Sequence, residues 1–284
     1  MQTSRVAIVT DSTANLPTEL LHQYHIIVLP LSLIWGEKTY LDAVEIQPIE
    51  FYQRLKTTKV MPSTSQVTPV QFTNVFSSLI DQGCEILCIT IASSLSGTMD
   101  SAIQAKAGFP KARIELVDSQ TTSLALGLQV LAAGRAIANG ATLEECKAMV
   151  EGARANTGVF FVVDTLEFLY RGGRIGAAAR FLGTALGLKP ILELRAGQIL
   201  PVERVRTQRK ALDRLLELVA DRIDGKSLIR LAVIDADASE AADTLMEKAR
   251  QRFNPIEIFR GDVSPVIGTH AGPGTVGMAF SVEI

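Results

Sequence analysis

At 284 residues the chain is long enough for one large or two ordinary domains with a substantial core. Its 28 Lys and Arg against 30 Asp and Glu leave a net charge of −2, and no long basic run gives electrostatic support to a nucleic-acid role. Hydrophobic residues make up 47% but aromatic ones only 6%, and no apolar stretch approaches the roughly 20 residues of a membrane span; Leu124 to Ala138 comes closest, interrupted by Gly127, Gln129, Gly134 and Arg135.

The N-terminus runs into a strand without a signal-peptide core or cleavage site, so the expectation is a cytoplasmic protein. Val6 to Val9 is that strand, and Thr10 to Asn15 turns it into a helix opening at Pro17. Ile26 to Trp35 is extended, with Gly36-Glu37 turning it back through Lys38 to Leu41 as a hairpin. Pro48 to Leu55 is a short helix. Thr57 to Thr68 has no periodic pattern but holds the hydroxyl cluster Ser63-Thr-Ser-Gln66, and Pro69 opens a helix with Phe72, Val75, Phe76, Leu79 and Ile80 on one face.

Ile86 to Ile91 is a β-branched apolar strand, Thr98 to Ala107 a helix, and Ser93 to Gly97 the turn between them. Such a turn points hydroxyls and unpartnered helix N–H groups at one spot, where an anion is stabilised. A helix-capping serine is the alternative reading of the same residues. A further strand, Arg113 to Val117, ends in Asp118-Ser119, as the first ends in Asp11-Ser12. Two helices follow, Thr122 to Asn139 and Leu143 to Ala155, joined at Gly140.

The alternation up to this point predicts an α/β domain with a mostly parallel sheet over residues 1–157. Residues 158–284 read as an α+β domain with a mixed or antiparallel sheet. Its elements are a strand Val159 to Val163, a helix from Thr165, the turn Arg171-Gly-Gly-Arg174, a small-residue helix to Gly183, and a hairpin of Ile191 to Leu194 with Ile199 to Val202. A helix Thr207 to Ile223, a strand Leu231 to Ile234, a helix Ser239 to Arg252, a strand Ile256 to Phe259 and a closing strand Val276 to Val282 complete it. Ligands commonly bind between domains.

Several groupings could carry chemistry. Gly272-Pro-Gly-Thr-Val-Gly277 matches the dinucleotide pattern, but no helix or acidic residue follows it, so the glycines instead admit a close backbone approach beside His270. Ser93 or Ser96 with His270 and Asp11 or Asp118 could form a nucleophilic triad, although no Gly-x-Ser-x-Gly elbow is present. Arg171 and Arg174 either complement a helix end or grip a carboxylate or phosphate. Cys84, Cys88 and Cys146 form no metal or disulfide pattern. No Gly-x-x-x-x-Gly-Lys-Ser/Thr loop or Mg²⁺ cluster is present, so no kinase activity is expected of the chain alone.

Thr10 to Pro17, Thr64-Ser-Gln66, Ser93-Ser-Leu-Ser-Gly-Thr98, Asp164 to Ile175 with its Arg-Gly-Gly-Arg, Lys189-Pro-Ile-Leu192, Val205-Arg-Thr207 and Gly268-Thr-His-Ala-Gly-Pro-Gly274 together resemble the DegV family over almost the whole chain. The resemblance implies a two-domain fatty-acid-binding protein that is the lipid-carrying subunit of a bacterial fatty acid kinase, with no cofactor. A long-chain fatty acid such as palmitate, stearate or oleate would lie in a tunnel, its carboxylate held by Thr64 and Ser93 with Ser96, Gly97 and His270 beside them; Ser63, Ser65 and Arg171 are further candidates. Arg171, Arg174 and Arg206 would face the ATP-binding kinase subunit or the acyl phosphate. No nucleic acid and no stable membrane insertion are implied, only transient membrane contact. The family's Thr-Ser-Gln-Pro-Ser reads Thr64-Ser-Gln-Val-Thr68 here, a lost proline that loosens the loop and opens the alternative of Ser63 in place of Thr64. The competing enzymatic reading is a Ser-His hydrolase of an acyl or phosphate ester.

Overall fold

The computed structural model describes residues 5–183 and 187–283. The first half contributes β1 (Arg5–Asp11), α1 (Thr18–Gln23), β2 (Ile27–Leu29), β3 (Ser32–Trp35), β4 (Lys38–Leu41), α2 (Pro48–Leu55), β5 (Ser63–Ser65), α3 (Pro69–Asp81), β6 (Cys84–Thr90), α4 (Thr98–Ala107), β7 (Ile114–Asp118), α5 (Ser123–Ala138) and α6 (Leu143–Ala153). After these come β8 (Thr157–Val162), α7 (Glu167–Arg171), β9 (Lys189–Arg195), β10 (Gln198–Val205), α8 (Gln208–Ile223), β11 (Arg230–Asp235), α9 (Ser239–Phe253), β12 (Glu257–Asp262), α10 (Pro265–Ala271) and β13 (Val276–Ser281).

The strands form three sheets: a parallel one in the order β2-β1-β6-β7, a small antiparallel one in the order β4-β3-β5, and a mixed one in the order β10-β9-β8-β13-β11-β12. Only β11 and β12 run parallel in the last; its other pairs are antiparallel. The fold is therefore α/β with a parallel sheet and a mixed sheet, as the sequence predicts.

Three local expectations change. The unpatterned stretch before Pro69 contains β5, which pairs with β3 through Ser63↔Ile34, Thr64↔Leu33 and Ser65↔Ser32. The small-residue segment before Gly183 is a 3₁₀ turn over Gly176–Phe181 rather than an α-helix. His270 lies near the end of a seven-residue helix, α10, where the sequence predicts only a glycine-rich approach.

The missing proline is compensated locally. Val67 is fully buried, and Thr68 closes a reciprocal capping box with Gln71 at the head of α3. The three cysteines are free.

The apolar length of α5 has a direct explanation. Leu126, Val130 and Leu131 pack with Ile8, Leu87 and Ile89 of the parallel sheet, while Leu124, Ala125 and Leu128 join the cluster containing Ala232, Ile234 and Ala279 of the mixed sheet. A helix covered on both sides is apolar all round. Strand alternation divides the mixed sheet in the same way: Val159 and Phe161 of β8 face α5, whereas Phe160 and Val162 face the outer helices α8 and α9. Leu126→Ala and Leu128→Ala should each cost about 2–5 kcal/mol in urea unfolding; a helix lying on one sheet only would leave one of the two nearly neutral.

Candidate ligand-binding site

Between the loops that follow β2, β6 and β7 of the parallel sheet and the inner face of the mixed sheet lies a cavity, in the kind of place where ligands commonly bind. Its walls are mainly aliphatic: Val159 and Phe161 of β8, Leu194 of β9, Ile199 of β10, Ile234 of β11, and Val266 and Ile267 of α10. Thr64, Ser96, Arg174 and His270 also line it; Thr64 and His270 are bonded to each other, whereas the Ser96 hydroxyl pairs with Thr98.

His270 Nε2 lies 2.8 Å from Thr64 Oγ1, joining residues 206 apart in sequence. On the other side of the ring, Nδ1 is buried without a hydrogen-bond partner and sits so close to Gly172 that a Cβ there would overlap it. Arg174 donates through Nε to Leu95 O (3.1 Å) and through a terminal nitrogen to Gly172 O (2.7 Å), tying the loop before Ser96 to the turn under His270. Burial first, and the nearby Arg174 charge second, lower the imidazole pKa to about 4. The ring is thus neutral at physiological pH. With its proton on Nε2 the ring would donate to Thr64 Oγ1 and free the threonine hydroxyl hydrogen for an anion in the cavity; with its proton on Nδ1, Thr64 would donate to Nε2.

The predicted site residues separate clearly. Thr64, Ser65, Ser96, Arg174 and His270 line the cavity; Ser63, Ser93, Gly97, Arg171 and Arg206 are not among its lining residues. Ser63 is exposed, and the half-buried Thr64 is the β5 residue bonded to His270. Ser93 is exposed and its hydroxyl donates to Asp118 Oδ2 at 2.6 Å, while its N–H also reaches that carboxylate. Gly97 packs against the side chain of Gln66, itself a lining residue. Arg171 pairs with Glu167 on the surface at 2.5 Å, and Arg206 is exposed beyond the end of β10.

The acids proposed for a triad serve the loops instead. Asp11 accepts from Ile91 N (2.7 Å), Thr13 N (3.0 Å) and Thr13 Oγ1 (2.5 Å), and burial pushes its carboxyl up to about 6 against those bonds. With His270 bonded to a threonine and Nδ1 unpartnered, the relay of acid, imidazole and serine that acyl transfer requires is not assembled. The glycines of the GxGxxG pattern lead into β13 rather than a helix, and Gly272 and Gly274 lie against Phe168 and Asp164. Among the described residues no group of three His, Cys, Asp or Glu side chains is placed to hold a metal ion, and no helix is long and apolar enough to cross a membrane.

The family model for DegV, described as an uncharacterised protein family, matches residues 5–283. The chain belongs to the DegV family. A DegV domain-containing protein of Halalkalibacterium halodurans is 34% identical over 281 residues, covering 99% of both chains. Among solved structures, a DegV family protein from Thermus thermophilus described by its fatty acid binding is similar with a TM-score of 0.93 and 35% identity, covering 98% of this chain and 99% of that one. A stearic acid-binding protein from Eubacterium ventriosum matches with a TM-score of 0.92 and 27% identity, covering 98% of each.

Two residues of this DegV protein's site escaped the sequence reading. Gly172 looks like half of a flexible turn, yet its missing Cβ is what admits the imidazole. Leu95 looks like a spacer, yet its carbonyl receives Arg174.

Because the native ring resists protonation, the unfolded chain takes up that proton first. His270 therefore contributes stability that is complete above pH 6.5 and is lost as pH falls toward about 4. The His270 ring resonance should titrate with a midpoint near 4 in NMR, and His270→Gln should remove this part of the acid destabilisation. Gly172→Ala should displace the ring and raise that midpoint.

Proposed function

We propose that this protein binds a long-chain fatty acid, such as palmitate, stearate or oleate, and presents its carboxylate to a separate ATP-binding kinase subunit that forms the acyl phosphate. The observation that carries the reading is an aliphatic cavity whose wall includes the bonded pair Thr64 and His270 together with Ser96 and Arg174. Fatty acid binding by the Thermus thermophilus relative and stearic acid binding by the Eubacterium ventriosum protein support it.

A tail of ~16 carbons leaving water gains roughly 0.8 kcal/mol per CH₂, about 12 kcal/mol before the costs of association. The tail thus supplies affinity. The carboxylate, taken from bulk water, needs donors to replace its hydration. In this reading Thr64 and Ser96 provide hydroxyls, His270 orients Thr64, and the Arg174 guanidinium faces the developing acyl phosphate. Ser93 shapes the loop through Asp118, and Gly97 keeps Gln66 close. Arg171 and Arg206 belong to the face met by the kinase subunit.

We place the division between the two units near residue 157, and the protein in the cytoplasm, with transient rather than inserted membrane contact during lipid exchange. No cofactor takes part in this role, and no nucleic acid is a partner.

Organic extraction of the purified protein followed by mass spectrometry should release a long-chain fatty acid in stoichiometric amount; an empty protein that also fails to take up added oleate would refute the reading. Thr64→Val and Ser96→Ala should each slow ATP-dependent acyl phosphate formation about 10–100-fold, the equivalent of a ~1.5–3 kcal/mol charge-assisted hydrogen bond, while retaining the lipid. Ser93→Ala should have a smaller effect. Steady ester hydrolysis by the protein alone would favour the hydrolase instead.

A further inference from the structure

The helix that carries His270 is held at its head by side chains of the other half of the molecule. α10 has only seven residues, too few to be stable unaided. Its N-cap residue, Ser264, makes no side-chain bond to the helix, and Pro265 has no N–H to offer. The first helical N–H, that of Val266, donates to Asp42 Oδ1 at 3.0 Å across 224 residues of sequence. Asp42 Oδ2 accepts from Ser12 Oγ at 2.7 Å, and Ser12 Oγ in turn accepts from Leu31 N at 3.1 Å, so the carboxylate is fixed on both sides.

Two neighbours complete the clamp. With its amide oriented by its surroundings, Asn15 accepts from Ser264 N at 3.0 Å, and Tyr52 Oη donates to Val263 O at 3.0 Å. Asp42 itself is 1% exposed. It does not line the lipid cavity; it lines a separate cleft with Ser12, Asn15 and Ser264.

We infer that Asp42 is the positioning residue for His270: by capping α10 from the first half, it sets the distance between the imidazole and Thr64. Val266 and His270 are four residues apart, about 6 Å along the axis at a rise of 1.5 Å per residue. A helix this short moves as one body, so a shift at its head is carried to the ring. The deployment of buried acids elsewhere fits this role, since Asp11 likewise spends its carboxylate on loop amides. The inference concerns the head-group contact of the fatty-acid reading and rests on that reading for its consequence in phosphorylation, but not for its geometry.

The test compares Asp42→Ala with Asp42→Asn, which keeps an oxygen for Val266 N–H. The chain has only three histidines, His22, His25 and His270, so the His270 ring resonance is assigned by its loss in His270→Gln. In Asp42→Ala the ring midpoint should rise from about 4 by a unit or more on the order of a tenfold change in proton affinity, because a displaced ring regains water while Arg174 remains its charged neighbour. Acyl phosphate formation should fall about tenfold with the lipid retained, and Asp42→Asn should restore most of both. A variant that melts earlier while its His270 midpoint stays at the wild-type value would overturn the inference, leaving Asp42 a structural group. If Asp42→Ala does not fold, Ser12→Ala releases the carboxylate from its anchor and should move the midpoint in the same direction; an unchanged midpoint there also overturns it. The NMR readout needs neither lipid nor kinase, so a protein found empty of fatty acid would refute the functional reading without deciding this one.

Discussion

Both large sheets bury the same helix, and the rest of the molecule is arranged around that sharing. Each face of α5 is committed to a different sheet, which fixes the separation of the two layers. The cavity is walled by inward residues of β8 to β11 on one side and by the loops that follow β2, β6 and β7 on the other. Two further attachments brace the layers near it. α10 reaches across to Asp42 and Thr64, and Val263 just before it to Tyr52, and the turn between β9 and β10 docks through Gly197, whose N–H meets Gln120 O at 2.8 Å and whose carbonyl receives Ser94 Oγ at 2.5 Å.

Within that frame the polar groups divide into two kinds. Some, such as Asp11 and Asp118, satisfy loop amides and never face the cavity. Others, Thr64 and His270 among them, keep capacity for a guest. The neutrality of His270 matters here: held uncharged beside Arg174, the ring adds no second positive charge next to Thr64.

Much of the fold was legible in the residues themselves. Strand-helix alternation, the proline and glycine punctuation, and the apolar run of α5 all report local physics, and the parallel and mixed sheets follow the pattern. What stayed hidden depends on partners far along the chain. β5 is three hydroxyl residues with no apolar signal, a strand only because β3 pairs with it. α10 is too short for a periodic pattern, and its cap lies in the other half. In the Ser93–Gly97 turn all the hydroxyls look alike; the choice of Ser96 over Ser93 as a wall of the cavity follows from Asp118 capturing Ser93, a contact that links positions 25 apart. Gly172 shows the same limit, since a glycine that makes room for a ring looks no different in sequence from one that makes a turn.

The double commitment of α5 also restricts how such chains can be recombined. A hybrid joining the first half of one relative to the second half of another would bring α5 with knobs shaped for a foreign mixed sheet, although its fit to its own parallel sheet would be intact. Substitutions along Leu124, Ala125 and Leu128 must therefore change in step with residues more than a hundred positions away, tying the inheritance of the two halves together.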